Sequence, residues 1–138
     1  MSKKKYLYEA KRWHQTATED LAASRVLYET GHYAQACFYS QQCAEKALRS
    51  LWLMLGEEPW GHSIQKLIQD FPRKELLEEY KRWVEYGASL DKFYIPTRYP
   101  NGLPDLTPGQ VYRLEDAQQA IEKAEYFIEQ IRQFLEQA

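Results

Sequence analysis

The chain has 138 residues, 44% of them hydrophobic, with 18 Lys and Arg against 20 Asp and Glu and a formal net charge of −2. That length and apolar content suit a single domain over 1–138 with a real core, and they exclude global disorder. The charge balance excludes a strongly basic nucleic-acid coat but leaves room for a small basic pocket; the only basic concentration, Lys3 to Lys5 with Lys11 and Arg12, is accounted for by a frayed N-terminus.

The first helix is expected from Lys4 to Thr30, with Tyr6, Ala10, Trp13, Ala17, Leu21 and Tyr28 along one face. Ser24 falls in that line and is small enough for a close helix contact, and Gly31 supplies the stop. The early lysines lead into Glu9, Lys11 and Arg12 rather than an apolar run, so no signal peptide is expected. Glu29 and His32 share an E-x-x-H spacing, but a di-iron bundle needs two such motifs and Gly31 interrupts this one.

Ala34 to Leu55 reads as the central helix. Ala36, Tyr39, Cys43, Ala47, Leu51 and Met54 form one apolar stripe, and Cys37, Ala44, Leu48 and Leu55 form a second beside it. Two adjoining stripes imply a helix covered by neighbours on most of its circumference, with Leu48 and Leu51 buried. One polar seam remains: Gln42, Glu45, Lys46 and Arg49, three and four residues apart. Such a seam is either a solvated stabilising face or the lining of a groove. Cys37 and Cys43 lie too far apart along one helix for a disulfide and read as buried thiols in a reducing cytoplasm. The longest uncharged stretch, Thr30 to Ala44, is too short to span a bilayer.

Glu57 to Gly61 carries turn signals, and Ser63 can cap a short helix with Ile64, Leu67, Ile68 and Phe71 on its apolar edge before Pro72. His62, just outside that helix, reads as a capping or packing residue. A longer helix is expected from Lys74 to Phe93, with Leu76, Tyr80, Trp83, Gly87 and Leu90 on its buried line and Gly87 permitting close helix approach. From Ile95 to Gly109 prolines fall at 96, 100, 104 and 108, so this segment is expected to be stiff and non-helical. The last helix is expected over Leu114 to Glu136, although Thr107-Pro108-Gly109-Gln110 also fits a capping box. No strand pattern occurs. The fold class is therefore all-α: an antiparallel up-and-down four-helix bundle with an additional short helix and a proline-rich loop before the last helix.

Catalytic templates are sparse. No glycine-rich phosphate loop, H-E-x-x-H, paired C-x-x-C or G-x-S-x-G occurs, and the three histidines sit on or beside three different elements, so neither a cofactor nor a metal site is expected. Two segments stand out. Gln41 to Leu48, QQCAEKAL, resembles the Q-Q-A-x-E-K-A-L signature of the HEPN domain family, with Cys43 in a small-residue position. Leu90-Asp91 followed by Ile95-Pro96-Thr97-Arg98-Tyr99-Pro100 resembles that family's second signature, and Asp20-Leu21 and His62 fall where its members often carry such residues. The resemblance covers essentially the whole chain.

What the resemblance implies is a four- or five-helix bundle, frequently a homodimer, often paired with a small nucleotidyltransferase in toxin–antitoxin-like modules. Many relatives are metal-independent ribonucleases that use an arginine and, a few residues later, a histidine. Here Arg98 is followed by Tyr99 to Asp105 with no histidine, so that residue does not carry over.

Independently of the family, the Arg98 guanidinium offers planar bidentate donors suited to phosphate, and Tyr94 or Tyr99 offers a stacking face for a base. Gln42 and Lys46 supply further donors, and Asp91 or Glu45 is placed either to orient Arg98 or merely to pin the loop. The expected site is Arg98, Tyr99, Lys46, Gln42, Asp91 and Tyr94, on a cytoplasmic nucleotide- or RNA-binding module with a nucleotidyltransferase partner and no membrane association. The alternatives are a diverged endoribonuclease, with Tyr99 or a dimer partner's residue replacing the histidine, and a non-catalytic dimerisation scaffold.

Overall fold

A computed structural model describes residues 2–138. Helix α1 runs Lys3–Glu29, with the Ser2 side chain accepting the Lys5 amide at its start. Gly31, at φ +79°, ends it: the His32 amide reaches back to the Leu27 carbonyl and the Gly31 amide to that of Tyr28. Two residues later α2 begins, spanning Tyr33–Met54, and Gly56 at φ +76° closes it with the same paired bonds to Trp52 and Leu53. Only a residue without a Cβ adopts that left-handed turn cheaply, which is why each helix stops at its glycine.

The two helices form a hairpin with the largest interface in the molecule. Small residues make the approach close: Ser24 donates to the Ala36 carbonyl at 2.7 Å and meets the Ser40 hydroxyl at 2.8 Å, all buried. Leu48 and Leu51 are fully buried, as are Cys37 and Cys43. Tyr39, expected in the stripe, is instead 37% exposed. Burial falls on Ser40 and Gln41 beside it, because α1 contacts α2 through the serine side rather than the tyrosine side.

The third element, α3, is Ile64–Gln69, and it packs against α4, Tyr80–Asp91. The expected helix from Lys74 is a correction. Lys74–Leu76 is a single 3-10 turn, Leu77 is extended, and Glu79 takes a left-handed φ of 59°. That break turns Leu77, not Leu76, into the core, and Trp83 donates its indole N–H to the Glu78 carbonyl, fixing the turn beneath it. Gly87 faces α3, where a Cβ would come within 3.0 Å of Ile64 and Ile68 side-chain carbons.

The proline segment also departs from expectation. Pro100–Gly102 forms a 3-10 turn and Pro108–Val111 a short helix, α5, with Pro108 at its first position, where the missing amide hydrogen costs nothing. Gln110 accepts the Thr107 amide through its side chain, and Asp116 does the same for Arg113, so both candidate starts exist. The last helix, α6, is Leu114–Gln137. Its buried line includes Ala120 and Phe127, while Leu114 is exposed. Phe127 meets Trp83 edge-on at 5.4 Å, and Lys123 donates to Ser89, tying α6 to α4.

The bundle is thus α1, α2, α4 and α6, with α2 touching every other helix. Among the described residues there is no strand, and no helix is long and apolar enough to cross a membrane.

Candidate functional site

Helix α2 presents Gln35, Phe38, Gln42, Glu45 and Arg49 on one side, at alternating spacings of three and four residues. The start of the proline segment crosses this face. There Thr97 is buried and donates to the Phe93 carbonyl, while Arg98 donates Nε–H to the Tyr94 carbonyl at 2.9 Å. The arginine is therefore held by its own loop, through one of its nitrogens.

The guanidinium lies among three aromatic rings. Its carbon is 4.6 Å from the centroid of Phe38, 4.9 Å from Tyr94 and 5.2 Å from Tyr99. Ring faces hold a cation without neutralising it, since they carry only a quadrupole. Among the described residues Arg98 makes no ion pair, and its two terminal nitrogens have no hydrogen-bond acceptor. A cleft of about 460 Å³ opens beside it, bounded by Gln35 and Phe38 of α2, Thr97, and Thr107 to Gly109.

Seven residues after Phe38 on α2 sits a buried carboxylate. Glu45 is only 5% exposed and accepts from Arg49 Nε at 3.2 Å; Gln41, fully buried, lies 3.5 Å from its other oxygen. His62 Nδ1 is 3.4 Å from the same Oε2 that Arg49 meets. Arg49 also donates to the Gly61 carbonyl, so one guanidinium fixes both the carboxylate and the loop carrying His62. The His62 ring is stacked on Tyr94, with centroids 5.5 Å apart and planes 18° from parallel. The polar seam is consequently not a solvated face at Glu45. Glu45 is a paired, buried carboxylate at the inner end of a chain of contacts that runs outward through the exposed His62, then Tyr94, to the exposed Arg98.

Of the six expected residues, Arg98, Tyr94 and Tyr99 are together. Gln42 lies on the same side of α2 and donates to the Gln41 side chain at 2.9 Å. Lys46 is turned away: its ammonium meets Asp20 of α1 at 2.6 Å and borders a separate cleft with Glu9, Arg12, Trp13 and Thr16. Asp91 does not approach Arg98 either. Both its oxygens are taken by the amides of Ile64 and Gln65 and the hydroxyl of Ser63, at the start of α3. Neither carboxylate considered as the partner of Arg98 fills that role. Phe38, Glu45 and His62 are the members that sequence reasoning left out of the site. For Glu45 a signal existed, because it is the acidic residue of the QQCAEKAL segment. Among the described residues no three His, Cys, Asp or Glu side chains come together as a metal-ligating group.

A family model described as the HEPN domain matches residues 10–134. A curated protein of Methanocaldococcus jannaschii, named "Putative toxin MJ1304", is 30% identical, the match covering 93% of this chain and 89% of that protein. Among solved structures, TT1696 from Thermus thermophilus superposes with a TM-score of 0.84 at 36% identity, covering 90% of this chain and 96% of its own. ST0689, described as an archaeal HEPN homologue, gives 0.76 at 32%, with coverages of 91% and 97%. An HEPN domain protein of Thermotoga maritima gives 0.71 at 25%, with coverages of 92% and 99%.

Proposed function

This chain belongs to the HEPN domain family, and we propose on that basis that it is a toxin-like nucleotide- or RNA-binding module whose ligand phosphate is met by Arg98. The observation that carries the reading is the state of that arginine: exposed, oriented by the Tyr94 carbonyl, stacked among aromatic rings and without a counter-ion among the described residues. A guanidinium fixed through Nε offers its two remaining nitrogens as a fork for phosphate oxygens. Tyr99, half exposed beside it, supplies a face on which a base can stack. Proline at 96 and 100 limits the ordering cost of presenting the charge.

The toxin-like part of the reading is supported by the name of the Methanocaldococcus jannaschii relative. A toxin needs a neutralising partner, and the proposed one is a small nucleotidyltransferase, with the chain itself a homodimer in the cytoplasm. Titrating a short single-stranded RNA into the protein and into Arg98→Ala, by calorimetry at fixed salt, tests the ligand class and the residue together.

A further inference from the structure

Between Lys3 and Arg12 the chain carries five cations against one acid, Glu9, although its net charge is −2. A frayed end does not account for them, because α1 begins at Lys3 with Ser2 capping it. Lys3, Lys4 and Lys5 occupy the first turn, where the positive end of the helix dipole disfavours a cation, and no acidic side chain accompanies them there. Glu9 is shared between Lys5, at 3.9 Å, and Arg12, at 3.0 Å; among the described residues Lys3, Lys4 and Lys11 have no ion pair. Folding gains nothing from this arrangement, and local departures of that kind collect where a surface is used.

The cations are interleaved with rings. Tyr8, 57% exposed, has Lys5 Nζ at 5.2 Å and the Arg12 guanidinium carbon at 5.9 Å from its centroid. Arg12 borders a cleft of about 430 Å³ with Glu9, Trp13, Thr16 and Lys46. Arg49 lies over the Trp13 ring at 5.9 Å and donates to the carbonyl of Gly61, next to the His62 that stacks on Tyr94. Tyr94 in turn carries the Arg98 guanidinium on its ring. One series of contacts thus links the start of α1 to the Arg98 loop. Its ends lie beside Phe38 and beside Leu53, which borders Glu9 and Trp13, and at 1.5 Å per residue of α2 these are about 22 Å apart.

We propose that the first turns of α1 and the Trp13 cleft are a second contact surface for single-stranded RNA, so that the ligand is a strand of several nucleotides drawn along the molecule and not a mononucleotide held at Arg98 alone. This goes beyond the Arg98 reading, on which one end of the track rests. Cations alone would suit any polyanion, including an acidic protein segment. Flat rings set between them favour a nucleic acid: each base brings a face that stacks without regard to sequence, while Lys and Arg take the neighbouring phosphates. Bases stacked inside a duplex cannot lie on a protein ring, so the strand is single.

The test follows the anisotropy of labelled oligouridylates of 2 and 12 nucleotides on the full chain across a salt series, for the parent, Lys4→Gln/Lys5→Gln and Tyr8→Leu. The parent should bind the 12-mer about tenfold or more tightly than the dinucleotide, since two contacts act on one strand. Lys4→Gln/Lys5→Gln should lose about fivefold in 12-mer affinity at low salt, and its slope of log affinity against log salt should become shallower by about 1.4, at 0.7 per phosphate contact of a single strand. Its melting temperature should match or exceed the parent's, because two cations leave the first turn of α1. A merely structural role for these lysines would lower it. Tyr8→Leu should weaken 12-mer binding about fivefold with the slope unchanged, because stacking releases no counterions. A double variant with the parent's slope and affinity overturns the proposal, as does a 12-mer bound no more tightly than the dinucleotide; the Arg98 reading stands in either case if Arg98→Ala weakens dinucleotide binding. A double variant that loses affinity for a polyglutamate peptide and none for the 12-mer marks a surface for acidic protein and overturns the proposal too. A parent that binds neither oligonucleotide removes the Arg98 reading and the proposal with it.

Discussion

The carboxylate of Asp91, the last residue of α4, accepts the backbone amide of Ile64 at 2.7 Å, across 27 residues of sequence. With the Gln65 amide and the Ser63 hydroxyl it takes three hydrogen bonds at the start of α3, satisfying amides that a helix leaves without intrahelical partners. Asp91→Ala should therefore cost about 1–3 kcal/mol in urea unfolding, with Asp91→Asn recovering part of it. Any effect on RNA binding should follow unfolding of the α3 region rather than appear in a fully folded protein.

Gly87 belongs to the same contact from the α4 side. A Cβ there would meet Ile64 Cγ2 and Ile68 Cδ1 at 3.0 Å and the Gln65 backbone nitrogen at 3.2 Å. The residue is helical, so alanine would gain propensity, but the backbone of α3 cannot yield as a side-chain tip can. Gly87→Ala should destabilise by about 1–3 kcal/mol. A melting temperature equal to or above the parent's would show that α3 moves freely off α4.

Burial pushes the Cys37 thiol up to about 12 and raises that of Cys43 as well. Both thiols should be inert to Ellman's reagent at pH 8 in the native protein and react promptly in denaturant. The folded values lie above the unfolded one, so the folded chain binds more protons than the unfolded chain in alkali. Stability contributed by the neutral thiols is full below about pH 8.5 and declines as pH rises above it, by about 1.4 kcal/mol per unit for each thiol until its folded value is reached. Cys37→Ala and Cys43→Ala should flatten that alkaline limb in denaturant titrations at pH 8 to 10.

Eleven tyrosines and four tryptophans are more aromatic surface than this bundle covers, and Tyr8, Trp60 and Tyr99 remain 57%, 84% and 49% exposed. Aromatic side chains are enriched at interface cores, which supports the proposed homodimer. Light scattering should give twice the chain mass; a monomer at high micromolar concentration would remove the dimer from the account.

Much of the fold was legible because α1, α2 and α6 obey one rule, an apolar period of three and four residues, and a glycine ends each of the first two. The errors fall where a local conformation overrode that period. Glu79 at φ 59° converts an apparent turn of α4 into a loop, and nothing in Lys74 to Glu79 announces a left-handed residue. Pro108 has the character of a breaker in a proline-rich run, yet it also suits a first helical position, and α5 starts there. The site was legible in part. Arg98, Tyr94 and Tyr99 are close in sequence, so the loop alone brings them together. Lys46 and Glu45 are adjacent on α2, yet they diverge by about 100°, which sends one to Asp20 and the other to His62. Periodicity gives a residue's side of a helix; it does not say which neighbouring element that side will meet.

The most direct test of the account is the affinity of Arg98 variants for single-stranded RNA at one salt concentration, measured on proteins whose thermal melts are recorded in parallel. Arg98→Ala should weaken binding by about 1–3 kcal/mol, roughly 5- to 150-fold, because a charge-assisted fork to phosphate is lost. Its melting temperature should fall only modestly, since among the described residues the exposed side chain holds no counter-ion, one hydrogen bond to the Tyr94 carbonyl and three ring-face contacts. Arg98→Lys should recover part of the affinity, an ammonium keeping the charge without the bidentate geometry. Undiminished RNA affinity in a folded Arg98→Ala protein would contradict the account at its centre.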